Sequence, residues 1–112
     1  MKSQSAFPRY AAMQMLDALG GRELFLLCGI SNVQQQGSSG ICFTLPDFLA
    51  QRQINRVSVS RVGGEFLIVF SRKSKVSGRY NETMIATWKC ERLSDLAESF
   101  RFVTGLATGV LQ

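Results

Sequence analysis

The sequence predicts an α+β fold: an antiparallel sheet of about five strands, arranged as a meander, with N- and C-terminal helices packed on one face. Three observations lead there. Val57 to Phe70 holds two runs rich in β-branched and aromatic residues around Gly63-Gly64, a pair that suits a two-residue hairpin turn. Further short apolar runs follow one another through short links, as successive antiparallel strands do. Apolar residues at helical spacing mark both ends of the chain. The 112 residues are enough for one domain with a single core.

Taken in order, residues 1–6 read as a frayed tail. Pro8 suits the first turn of a helix, where its missing N–H is no loss. Ala12, Met15, Leu16 and Leu19 then recur on one helical face, and Gly20-Gly21 stops the helix. Leu24 to Ile30 is short and uniformly apolar, and it reads as a buried strand. Gln34 to Gly40 is polar and glycine-rich, a flexible loop between antiparallel strands. Ile41 to Leu45 reads as the second strand, ended by Pro46. Asp47 to Gln53 leaves two readings open: a short turn capped by Asp47 and carrying Phe48 and Leu49, or a plain crossing.

Closing the central hairpin at Gly63-Gly64 sets its register. Val62 falls opposite Glu65, Arg61 opposite Phe66, Val59 opposite Ile68 and Val57 opposite Phe70, with Ser58 and Ser60 on the other face. Arg72 to Asn81 reads as a polar, basic connection. The fifth strand is expected over Met84 to Cys90, with Met84, Ala86, Trp88 and Cys90 on one face. Ser94 is the expected N-cap of the last helix, with Asp95 and Glu98 in its first turn. Leu93, Leu96, Ala97, Phe100 and Val103 form its apolar stripe, and Gly105 ends it. Leu106 to Gln112 is expected to pack down at first and then fray.

Hydrophobic content of 46% against 19% charged places the chain among globular rather than disordered sequences. The net charge of +5 favours acidic partners and argues against mimicry of a nucleic acid. Cys28, Cys42 and Cys90 are an odd number without a Cys-x-x-Cys pair and read as buried reduced thiols. A Cys28–Cys42 disulfide stays open if their strands are neighbours. The N-terminus has no apolar region of a signal peptide and no run approaches a membrane span, so no membrane partner is expected and the cytoplasm is the expected location.

No catalytic constellation is legible, and the expectation is a non-enzymatic protein without cofactor or metal. The chain has no histidine, which removes the commonest general base and metal ligand. Glu91 and Asp95 form a lone acidic pair, solvated rather than metal-binding without further oxygen ligands. Gly37 to Gly40 lacks the Lys-Ser/Thr ending of a phosphate loop and precedes a strand, not a helix.

Charge is the uneven feature. Arg52, Arg56, Arg61, Arg72, Lys73, Lys75 and Arg79 are answered within their stretch only by Glu65. The hairpin register sets Arg56 beside Arg72 and Lys73, and Tyr80 adds a stacking group. Arg56, Arg72, Lys73, Lys75, Arg79 and Tyr80 are the candidate binding residues. They form either a contact surface for a nucleic-acid backbone or acidic protein patch, or a solvated stretch that keeps a sheet edge soluble. No recognition helix carries them, so sequence-independent binding is expected.

Several landmarks also carry a resemblance. Leu19-Gly20-Gly21 closing a helix, Phe25 in a strand reaching Gly29, a hairpin ending at Phe70, and Leu96, Phe100 and Thr104-Gly105-Leu106 in the closing helix are similar to small proteins of bacteriophages, prophages and other mobile elements. The likeness spans Met13 to Leu111. Cys28-Gly29-Ile30 and the long basic stretch Arg72 to Arg79 depart from it. The resemblance implies an accessory protein that binds and inhibits or modulates a host factor, a host protein or ribonucleoprotein complex such as an RNA-guided defence nuclease. Both a monomer and a homodimer joined through a strand edge are compatible with this reading.

Overall fold

The computed structural model describes residues 12–37 and 40–106. The expected tail, the helix start at Pro8, the tip of the Gln34 to Gly40 loop and the last six residues lie outside them. Helix α1 is described over residues 12–19, and Gly21 N–H donates to Leu16 C=O where it ends. Then follow α2 (Arg22–Cys28), β1 (Ser31–Gln35), β2 (Gly40–Thr44), β3 (Arg56–Val62), β4 (Glu65–Val76), β5 (Arg79–Cys90) and α3 (Leu96–Thr104), with 3₁₀ turns at Gln51–Gln53 and Leu93–Asp95. The strands form one antiparallel sheet in sequence order, the expected meander.

The β3–β4 hairpin has the expected register, from Val62 opposite Glu65 to Val57 opposite Phe70 and on to Arg56 opposite Ser71. Gly63, at φ 65°, takes the positive φ that the turn requires. Val57, Val59, Phe66, Ile68 and Phe70 are buried on one face. Ile41 and Phe43 of β2 extend this row, because they pair with Val59 and Val57. Met15 and Leu19 of α1, Leu24 and Cys28 of α2, and Leu96, Phe100 and Val103 of α3 close over it. The Phe43 and Phe100 rings meet at 6.2 Å with a tilt of 54°.

Five expectations need correction. Leu24 to Ile30 is not a strand: the run forms α2, ended by Gly29 in the left-handed conformation with its N–H on Phe25 C=O. Within α2 only Leu24 and Cys28, one turn apart, face the core, joined by Ile30 just beyond it, while Phe25, Leu26 and Leu27 are exposed. A uniformly apolar run has no period to choose between helix and strand, and leucine favours the helix. The first strand comes later, at Ser31–Gln35, and takes in Gln34 and Gln35 from the start of the expected loop. β1 pairs with β2 along the sheet edge, where every residue is exposed and none needs to be apolar.

The basic connection Arg72 to Asn81 is likewise strand. Ser77 and Gly78, at φ 53° and 80°, make a second tight turn, and β4 and β5 pair continuously from Ser71 and Met84 up to Val76 and Arg79. A bulge in β5 at Ile85 then splits the expected face. Ala86, Trp88 and Cys90 pair with Phe70, Ile68 and Phe66, whereas Met84 pairs with Ser71 on the other side. At the last helix, Ser94 does not cap. It lies in the 3₁₀ turn, and α3 starts after Asp95 without a side-chain cap. Gly105 ends α3 as expected, its N–H on Arg101 C=O.

Cys28 belongs to the helix-covered core, and Cys42, paired with Ser58, lies on the opposite side of the sheet. Cys42 and Cys90 are buried free thiols. Burial pushes the Cys28 thiol above its usual value. Burial does the same to Cys90, opposed by the Ser99 hydrogen bond and reinforced by the Asp95 charge. Once pH exceeds the unfolded thiol value of about 8.5, the native state holds protons that the unfolded chain has released, so stability falls as pH rises. Urea titrations at stepped pH should show full stability below that value and a decline above it that Cys90→Ala makes shallower. Phe100→Ala should lower stability by about 3–5 kcal/mol, read from the urea midpoint, because it leaves a cavity against Phe43.

Candidate functional site

The site is built by two strands that outrun the sheet. β3 begins at Arg56, so residues 72–76 and 79–83 pair only with each other, as a two-stranded ribbon. Lys73 stands opposite Glu82, and Lys75 opposite Tyr80. Two residues apart on one strand, the lysines share a side of the ribbon. Their Nζ atoms lie 5.1 Å and 5.6 Å from the centre of the Tyr80 ring, which draws both cations to it.

Asn55 fastens the ribbon base to the loop before β3. Its side-chain amide donates to Asp47 Oδ1 at 2.8 Å and to Lys73 C=O at 2.9 Å, and its Oδ1 accepts from Lys73 N–H at 2.7 Å. Its main-chain N–H donates to Ser71 C=O. Asn55 is only 6% exposed, and these bonds satisfy both donors and the acceptor of its amide.

Two arginines are already committed. Arg56 Nε lies 3.4 Å from Glu82 Oε2, which also accepts from Ser71 Oγ at 2.7 Å. Arg72 Nη1 lies 3.4 Å from Asp47 Oδ1 and donates to Gln53 C=O, while its guanidinium covers the Phe48 ring at 4.9 Å. Such partly exposed ion pairs contribute about 0–1 kcal/mol each, so they orient the arginines more than they stabilise the fold. Among the described residues, Lys73, Lys75 and Arg79 form no ion pair.

A groove of about 680 Å³ runs along this region. Arg56, Arg72, Lys73, Lys75 and Tyr80 line it, so the structure brings five of the six candidate residues together. Arg79 is not among the lining residues. It is exposed at the ribbon tip, opposite Val76. Of the other cations in the stretch, Arg52 donates to Ile85 C=O, and Arg61 covers the Phe66 ring near the Gly63 turn.

The sequence reading missed Asn55 and Glu82 as members, and it saw Asp47 only as a cap. Nothing in the spacing of Asn55 marks it. The Ser77-Gly78 pair could have revealed the ribbon, since serine-glycine is a turn signal, but its flanks are too polar to look like strands. Comparison with protein-family models gives no match, and none is found among curated proteins or solved structures.

Chemically, the groove offers two ammonium groups that form no ion pair, the exposed phenol beneath them and two oriented guanidinium groups. That set suits an elongated anion. Asn55→Ala should cost about 1–3 kcal/mol, because it strands buried partners. It should also speed hydrogen exchange at the Lys73 amide more than at the Ile68 amide.

Proposed function

We propose that this protein is a non-enzymatic binding module that grips a single-stranded nucleic acid by its phosphates, without regard to sequence. Lys73 and Lys75, both over the exposed Tyr80 ring and free of ion pairs, on a ribbon projecting from the sheet, carry this reading. The lysines neutralise phosphates, and Tyr80 supplies a π-face on which any base stacks. Arg79 at the tip extends the cationic run. Because the cations stand on strands and reach the backbone, affinity depends on charge rather than base identity.

One feature favours a second reading, the one implied by the resemblance to mobile-element proteins. Phe48 and Leu49 are exposed beside Arg72, and an apolar rim next to a cationic groove suits an acidic protein surface on a host factor or defence complex. No helix among the described residues is long and apolar enough to cross a membrane.

Fluorescence anisotropy with a labelled oligothymidylate at stepped salt separates the two readings. Wild-type protein should bind at low salt. Combining Lys73→Gln, Lys75→Gln and Arg79→Gln should weaken binding and flatten the log–log salt slope by about 2, at roughly 0.7 per phosphate contact. No binding at low salt, or an unchanged slope in the variant, refutes the nucleic-acid reading. Capture of a host protein from nuclease-treated lysate, abolished by Phe48→Ala, would establish the second.

A further inference from the structure

The ribbon leaves one side of β4 open. β3 begins at Arg56, opposite Ser71, so β3 does not reach residues 72–76 on that side. Asn55 fills the first place there with its side-chain amide, which holds both the N–H and the C=O of Lys73. Main-chain groups of an antiparallel strand point to alternate sides, residue by residue. The N–H and C=O of Lys75 therefore point the same way as those of Lys73, away from β5. No hydrogen bond to them on that side is present among the described residues, and Lys75 lines the basic groove. The groove thus meets a donor and an acceptor side by side, on a strand held in place by its pairing with β5.

The wall across from the ribbon is neutral, lined by Asn32 and Gln34 of β1 and Thr44 of β2. Gln34 pairs with Cys42, and Thr44 with Arg56, so these side chains stand on the sheet face that the helices leave open. Four lining cations, Arg56, Arg72, Lys73 and Lys75, face one lining carboxylate, Asp47. A ligand that fits is anionic along one side and carries groups that both donate and accept hydrogen bonds along the other. A phosphodiester only accepts, so phosphates alone leave the Lys75 C=O without a donor. Base edges differ from one nucleotide to the next and would make binding depend on sequence. A ribose 2′-hydroxyl donates and accepts, recurs at every nucleotide, and is the group that distinguishes RNA from DNA.

We infer that, within the phosphate grip proposed above and resting on it, the groove takes single-stranded RNA in preference to single-stranded DNA. A 2′-hydroxyl accepts from the Lys75 N–H and donates to the Lys75 C=O, while the phosphates on either side of that sugar lie along the cations. The neutral wall leaves the sugar side of the strand free of charge.

Fluorescence anisotropy with labelled oligouridylate, oligodeoxyuridylate and 2′-fluoro-oligodeoxyuridylate of one length tests this. The RNA should bind about tenfold more tightly than the deoxy strand, the worth of one to two hydrogen bonds. Their log–log salt slopes should be parallel, because the phosphate contacts are the same. The 2′-fluoro strand keeps the ribose pucker but cannot donate, and it should bind like the deoxy strand. Lys75→Pro deletes the free-edge N–H without removing a bond to β5, and it should reduce the RNA preference to within about twofold. Lys75→Gln keeps that N–H, so it should weaken both strands and retain the preference. Equal affinity of wild-type protein for RNA and DNA, or a 2′-fluoro strand bound as tightly as RNA, overturns the inference and leaves the phosphate grip standing. Binding of neither strand at low salt removes both. These readouts on wild-type protein decide the matter even if the proline variant fails to fold.

Discussion

One-sided burial of the β3–β4 hairpin is the constraint on which the rest of this molecule rests. Val57, Val59, Ile68 and Phe70 form a single apolar row, and every other element is placed by closing on it. β2 joins through Ile41 and Phe43, and the helices join through one or two positions per turn. Apolar burial is favourable in proportion to the area removed from water, so this row sets which face the helices take. The other face carries Ser58, Ser60 and Thr44 and needs no cover, although Arg56 reaches Cys42 Sγ at 3.5 Å and Gln36 bonds Ser58 there.

The same constraint explains where charge can gather. Beyond Ser71, β4 and β5 leave the row behind, and neither side of the ribbon is held under the helices. Strand residues there are free to be cationic, provided something stiffens the ribbon. Cross-strand pairing, the two lysines over the Tyr80 ring and the Asn55 clasp do so together. A cationic surface on a stiff support loses less entropy on binding than the same charges on a loose loop would.

Both sheet edges are turned away from further strand pairing. β1 is irregular between Ser31 and Gln34, with Asn32 at φ 52°. β5 carries its bulge at Ile85, and Arg52 occupies the carbonyl of that residue. Such devices blunt an open edge. On β5 the bulge has a second effect, since it leaves Trp88 on the helix side, against Phe102, and sends Met84 to the opposite side.

By itself the sequence determined the fold class, the central hairpin with its full register, the core-facing positions of the first and last helices, and the convergence of Arg56, Arg72 and Lys73. Each of these follows from periodicity or from a glycine turn, both local properties. Tertiary structure alone decided the state of Leu24 to Ile30, because a run without period takes whichever form its neighbours bury best. It also decided that polar segments at Ser31 and Arg72 become strands, since a strand pairing at an edge or in a ribbon draws its order from main-chain hydrogen bonds that side-chain patterns do not reveal. The Asn55 clasp, the carboxylates that claim Arg56 and Arg72, and the meeting of Trp88 with Phe102 join residues distant in the chain, and only the folded packing brings them into reach.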